Sequence, residues 1–147
     1  MLKDFIEKNR ICFHKGFDTW EDSVAAACQP LIDDGAISYE YIDSIIKSIN
    51  KFGPYVVIAP NICIPHAQAG GPGVYQSAIS MMITQTPVSF ETGNQERDAR
   101  LFFVLAANDP QEHMDNLVKL VDMLSNDELV ERLLNLTNIE DLKRLVE

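Results

Sequence analysis

Leu101-Phe-Phe-Val-Leu-Ala-Ala107 is apolar at every position. Side chains of a strand alternate between two faces, so an unbroken apolar run marks a strand buried on both, at the centre of a sheet covered by helices. Directly after it, Asp109-Pro110-Gln111-Glu112 supplies an N-cap acid, a first-turn proline and a capping-box carboxylate. A helix opens there, with Met114, Leu117, Val118, Leu120, Val121 and Leu124 as its buried stripe. Asn126 caps a further helix through Leu136, and Thr137-Asn-Ile-Glu140 is a capping box for a last one carrying Leu142, Leu145 and Val146.

Upstream of the run lie other short strands. Tyr55–Ala59 is β-branched, Ile62–Ile64 leads into Pro65-His66, and Ala78–Thr84 and Val88–Phe90 are separated by Pro87. Earlier still, Asp18-Thr-Trp-Glu21 reads as a capping box with Asp18 as N-cap. Trp20, Val24, Ala27, Cys28, Leu31 and Ile32 form its stripe, and Gly35 ends it. Ser38 caps a second helix with Tyr41, Ile42, Ile45, Ile46 and Ile49 on one side, stopped by Gly53-Pro54. The order is two helices, a strand-rich middle and three helices. This predicts a single α/β domain over residues 1–147, a mixed β-sheet flanked by helices.

The composition is that of a globular protein, 46% hydrophobic and 23% charged. No apolar stretch approaches the ~20 residues of a membrane helix, and Met1–Arg10 lacks the apolar core of a signal peptide, so a cytoplasmic location is expected. The net charge of −10 argues against nucleic acid as a partner and suits a basic protein partner. Cys12, Cys28 and Cys63 are odd in number and form no C-x-x-C pair, so disulfides are not expected.

Chemistry concentrates in Ile58-Ala-Pro-Asn-Ile-Cys-Ile-Pro65-His66-Ala-Gln-Ala-Gly-Gly-Pro-Gly73. His66 stands where a rigid apolar strand hands over to a glycine-rich surface loop. A neutral imidazole there can act as nucleophile, general base or metal ligand. Gly70, Gly71 and Gly73 let the backbone approach a bound group, or simply form a turn. His113 lies in the first turn of the helix after Asp109, where the helix dipole favours anions and disfavours an imidazolium. A neutral His113 can donate one hydrogen bond to a phosphoryl oxygen; from spacing alone, a ring that packs and bonds a nearby carbonyl has the stronger claim. Cys63-x-x-His66, with His14 and Cys12, raises a metal site. Strand residues three apart point to opposite faces, which favours a buried structural Cys63 instead, with His14 on the surface.

Gly53-Pro-Tyr-Val-Val-Ile-Ala-Pro-Asn-Ile-Cys-Ile-Pro65-His66-Ala resembles the active-site segment of the mannitol/fructose-class enzyme IIA domains of the bacterial phosphoenolpyruvate-dependent sugar phosphotransferase system. The likeness continues through Pro87-Val-Ser-Phe90, Leu101–Ala107 and Asp109-Pro-Gln-Glu-His113, and covers nearly the whole chain. Gly-Pro-Tyr-Val-Val-Ile-Ala-Pro is most similar to the ascorbate-specific branch.

The resemblance implies a phosphotransferase with a phosphohistidine intermediate, its fold a mixed sheet flanked by helices. His66 would accept a phosphoryl group from the phosphocarrier HPr and pass it to a cysteine of enzyme IIB, which serves a membrane enzyme IIC. His113 would lie beside it and help hold the group. No cofactor or metal is implied. Two departures stand out. Relatives often read Pro-His-Ala-Arg where this chain has Gln68, and mannitol-type members carry an Arg-Glu pair where it reads Ser48-Ile-Asn50-Lys51. Gln68, the backbone at Ala67 and Lys51 are therefore the candidates to contact the phosphoryl oxygens. A second reading is a regulatory module, in which phosphorylation of His66 controls partner binding rather than transport.

Overall fold

The apolar run becomes the middle of the sheet. The computed structural model describes residues 1–147. Its strands are β1 (Ile11–His14), β2 (Val57–Ala59), β3 (Asn61–Cys63), β4 (Ala78–Ser89) and β5 (Asp98–Ala106). They lie in the order β1-β4-β5-β3-β2. β5 runs antiparallel to β4 and parallel to β3; β1 joins β4 in parallel and β2 closes the other edge antiparallel to β3.

Every residue from Leu101 to Ala107 is buried, and the two-residue period of the strand divides them between two cores. Phe102, Val104 and Ala106 join Val24, Ala27, Cys28 and Leu31 of α2 (Trp20–Asp33) and Tyr41, Ile42, Ile45 and Ile49 of α3 (Tyr39–Phe52). Leu101, Phe103 and Leu105 meet Phe5 of α1 (Leu2–Glu7), Leu120 and Leu124 of α4 (Pro110–Leu124), Leu133 of α5 (Asp127–Leu134) and Leu142 of α6 (Ile139–Leu145). Each such large apolar side chain contributes about 1.5–3 kcal/mol on burial, which is what fixes β5 between the two helical layers.

Several expectations shift. α1 and β1 precede the expected first helix. At six and four residues they are too short to carry a periodic signal, and α1 has no side-chain cap. His14 ends β1 and is exposed, as its surface placement requires. The N-cap of α2 is Thr19, not Asp18: its Oγ1 accepts from the Asp22 amide at 3.2 Å. The cap of α6 is likewise Asn138, accepting from Asp141 at 3.0 Å, while Thr137 donates to the Asp141 carboxylate. In both places two capping residue types are adjacent and the backbone selects the second. Ser38, Asp109 and Asn126 cap as expected. α5 stops at Leu134 rather than Leu136.

Ala78–Thr84 and Val88–Phe90 are not separate strands. β4 runs through Pro87, because its register against β5 shifts between Ile83 and Val88. In that bulge proline's missing N–H removes no ladder bond. The stripe of α4 is also only half buried: Met114, Val118 and Val121 are 54%, 50% and 46% exposed. Apolar positions occupy more of its circumference than one sheet face can cover.

Candidate functional site

β3 and β5 are parallel, so the segments after them emerge at one end of the sheet. A cleft of about 730 Å³ opens there, and both His66 and His113 line it. Crevices beyond the carboxyl ends of parallel strands are the usual ligand sites of open α/β sheets.

The main chain around His66 is tied on several sides. The Ile64 amide donates to Val56 at 2.8 Å and the Leu105 amide to the Pro65 carbonyl at 3.1 Å. His66 Nδ1 stands 2.6 Å from the Ile64 carbonyl oxygen. A carbonyl only accepts, so Nδ1 carries the proton and Nε2 keeps its lone pair. The Tyr55 ring meets the imidazole edge-on at 5.2 Å between centroids. Burial lowers the His66 pKa below its ordinary value and the neighbouring His113 lowers it further, against the opposing effect of the Ile64 hydrogen bond. The ring is therefore neutral near pH 7.

His113 enters from α4. Asp109 opens that helix, accepting from the Glu112 amide at 2.9 Å, and this bond holds its carboxyl below the usual range. The His113 ring centroid lies 5.3 Å from that of His66. Its Nδ1 is buried without a hydrogen-bond partner. A buried N–H with no acceptor costs more than a buried lone pair, so the proton belongs on Nε2. Burial lowers the His113 pKa as well.

Of the other candidates, Gln68 lines the cleft as an exposed rim residue. Ala67 lines it too, but its amide donates to the Tyr41 hydroxyl at 3.0 Å and is not free for a ligand. Lys51 is not in the lining: its Nζ lies 5.2 Å from the Phe52 ring centroid, and Ser48, one helical turn from Phe52, faces the cleft instead. No lysine or arginine lines it. Gly70 and Gly73 each have a role in the fold. The Gly70 amide donates to Ala107 at 2.9 Å, and Gly73 presses against the backbone of Tyr41. Tyr55, Phe52, Ser48 and Met114 also line the cleft. No motif marks them, because ring contacts and helix facing are settled only by the fold.

The metal reading finds no geometry. No three His, Cys, Asp or Glu side chains come together, and His14 sits on the sheet edge opposite β3. The cysteines are free, and burial pushes the Cys12 thiol up to about 12 and raises those of Cys28 and Cys63 as well. None is a ready nucleophile at neutral pH.

The family profile "Phosphoenolpyruvate-dependent sugar phosphotransferase system, EIIA 2" matches residues 4–147. The chain belongs to this family. It is similar to the ascorbate-specific PTS system EIIA component of Mycoplasma pneumoniae, at 30% identity over 130 residues, 88% of this chain and 80% of that one. The solution structure of the mannitol-specific cryptic phosphotransferase enzyme IIA CmtB from Escherichia coli superposes with a TM-score of 0.83 at 27% identity, covering 99% of this chain and 97% of that one. A complex of enzyme IIAMTL with phosphorylated enzyme IIBMTL from Escherichia coli shares the fold, with a TM-score of 0.77 at 19% identity and 92% of each chain covered. The enzyme IIA chain is thus a phosphoryl carrier of a sugar phosphotransferase system. None of its helices is long and apolar enough to cross a membrane.

Proposed function

We propose that His66 is the residue that carries the phosphoryl group, taking it from phospho-HPr and giving it to a cysteine of enzyme IIB. The observation behind this reading is the Nδ1–Ile64 hydrogen bond, which leaves Nε2 as the free nucleophile in a cleft shared with His113. The Nε2 lone pair attacks phosphorus in line; an N–P bond forms as the bond from phosphorus to the donor atom breaks, and that electron pair leaves with HPr. In the second step the IIB thiolate forms an S–P bond, the N–P bond breaks, and its electrons return to Nε2.

Phosphoryl transfer needs positioning and charge stabilisation more than covalent machinery. With no cation lining the cleft, the donors nearest to hand are Nε2–H of His113 and the Gln68 amide. The rim suits a protein donor. Phe52, Tyr55 and Met114 are 68%, 36% and 54% exposed around the cleft, and Val118 and Val121 extend the apolar strip along α4. The net charge of −10 favours a basic carrier. Ascorbate or a pentitol-like compound is the substrate class we assign to the system, ascorbate on the Gly53–Pro60 run and the similarity to an ascorbate-specific component. We place the protein in the cytoplasm, with enzyme IIC an indirect partner.

The test is incubation with phosphoenolpyruvate, enzyme I and HPr. An acid-labile, base-stable gain of one phosphoryl mass, absent from His66→Ala, supports the reading. No gain while HPr itself is phosphorylated overturns it.

A further inference from the structure

Two tyrosine hydroxyls grip opposite edges of the peptide unit that joins His66 to Ala67. Tyr55 Oη donates to the His66 carbonyl, and the Ala67 amide donates to Tyr41 Oη at 3.0 Å. Tyr41 is 1% exposed, and its own hydroxyl proton goes to the Leu105 carbonyl at 2.6 Å. Burial raises its pKa, so the hydroxyl keeps the proton it donates.

A peptide unit is planar, so holding its C=O from one side and its N–H from the other fixes its rotation. That rotation sets the backbone angles on both sides of the plane, and with them the direction in which the His66 side chain leaves the chain. The grip is tied to the central strand. Leu105 holds the Pro65 carbonyl with its amide and, through Tyr41, the Ala67 amide with its carbonyl. Residues 65 and 67 are thereby referenced to β5, and His66, through Tyr55, to the segment that follows α3. The tyrosines come from the start of α3 and from the segment just after its end, so this one helix brackets the site.

We propose that Tyr41 and Tyr55 are positioning residues for His66. They orient the His66–Ala67 peptide so that the Nδ1–H···O=C bond to Ile64 persists and Nε2 faces the incoming phosphorus. Neither hydroxyl touches the reacting atoms in this role. The inference rests on His66 as the phosphoryl-accepting residue, but its structural half can be read without any transfer.

The experiment compares wild type, Tyr55→Phe and Tyr41→Phe, each losing one oxygen. Long-range proton–nitrogen NMR of the His66 ring reports the tautomer. Steady-state transfer from phospho-HPr through the protein to enzyme IIB, with phospho-HPr varied, reports kcat and KM separately. Tyr41→Phe leaves two buried polar groups unpaired and can cost the fold, so Tyr55→Phe, at a half-buried ring, decides the matter. Wild type is expected to hold its proton on Nδ1 alone. In Tyr55→Phe we expect mixed tautomers, an unchanged KM and a kcat lower by about 10-fold, within what a misplacement of an ångström or less costs. Either readout left at its wild-type value in a folded Tyr55→Phe overturns the proposal. If wild type accepts no phosphoryl group, that failure belongs to the nucleophile assignment, and the tautomer alone decides the grip.

Discussion

Nδ1 of His66 stands 2.6 Å from the carbonyl oxygen of Ile64, two residues earlier in its own chain. This contact leaves one ring nitrogen, Nε2, with its lone pair free. It also explains why the strand-to-loop junction is needed: the carbonyl of the last apolar residue must fold back towards the ring that follows it.

His66→Ala and His66→Gln should both lose phosphoryl acceptance entirely, because neither side chain retains a nucleophilic nitrogen. Both should remain folded. Losing the ring strands the Ile64 carbonyl, a cost of about 1–3 kcal/mol. Intact-mass measurement after incubation with the phosphorylated carrier checks the first outcome and thermal melting the second. Wild-type acceptance by either variant excludes His66 as the acceptor.

His113→Ala should slow acceptance by about 10²–10³-fold, the usual cost of losing one hydrogen-bond donor to developing negative charge. The loss should fall on kcat, since the 5.3 Å ring pairing with His66 places His113 beside the reacting group rather than on the rim. His113→Gln keeps an N–H donor on the same helix and should recover part of the rate. Stability should change little, because the buried Nδ1 has no partner to lose. Equal rates in wild type and His113→Ala would return this histidine to a packing role.

The pH dependence has a definite sign. Burial lowers the pKa of His66 below the ordinary histidine value of about 6.5. Protonation removes the Nε2 lone pair, so acceptance should hold steady from pH 8 down through about 6.5 and decline only as pH passes through the lowered value. The same linkage acts on stability. Below about 6.5 the unfolded chain takes up protons that the folded His66 and His113 still refuse, so folding weakens as pH falls and the loss levels off below the folded values. Melting of wild type against His66→Ala across pH 5 to 8 tests this: the gap should narrow or reverse on the acid side. A rate profile with its midpoint above 6.5 contradicts the assignment.

The central strand was readable because seven apolar residues in a row admit few other placements, and the cap at Asp109 announced the helix that brings His113. The position of His66 at the strand-to-loop junction, facing the cleft, followed from an apolar run that ends in a glycine-rich loop. What surrounds it was not readable. Tyr41 sits in an apolar helical stripe, where its ring hides the hydroxyl that bonds Ala67 and Leu105 across more than twenty residues of chain. Lys51 looked available for the phosphoryl group only because helix rotation is invisible until Ser48 and Phe52 are seen to face the cleft. The loop glycines carried an ambiguity that spacing cannot resolve, since a backbone that can approach a ligand can equally approach another backbone.

Gly73 illustrates the second case. Its φ is +84°, and a Cβ there would stand 2.4 Å from the Tyr41 nitrogen and 2.9 Å from Ser38 Oγ. Gly73→Ala should cost about 2–6 kcal/mol, combining roughly 1–3 from backbone strain with roughly 1–3 from crowding. Gly35 is the control: its φ is +80°, yet nothing lies within 4 Å of its Cβ position, so Gly35→Ala should cost only the strain. Denaturant midpoints at unchanged slope measure both. Equal losses in the two variants would remove the crowding argument. A cleft that loses activity in Gly73→Ala alone would follow from displacement of Tyr41, the residue that Gly73 supports.

Gln68 offers the complementary test, of gain rather than loss. It lies exposed on the rim of a cleft without lysine or arginine, so a phosphoryl group on His66 would meet only neutral donors there. A guanidinium presents two parallel N–H groups that match two phosphoryl oxygens, and water on the rim screens the attraction to about 1 kcal/mol, or roughly five-fold in equilibrium. Gln68→Arg should therefore raise the equilibrium share of phosphorylated protein against phospho-HPr by about that factor, and more at low salt than at high. Gln68→Glu should lower it. Quantifying both forms by intact mass at two ionic strengths decides the matter. If charge at position 68 changes neither the share nor its salt dependence, the phosphoryl group sits deeper in the cleft, out of reach of the rim and against His113.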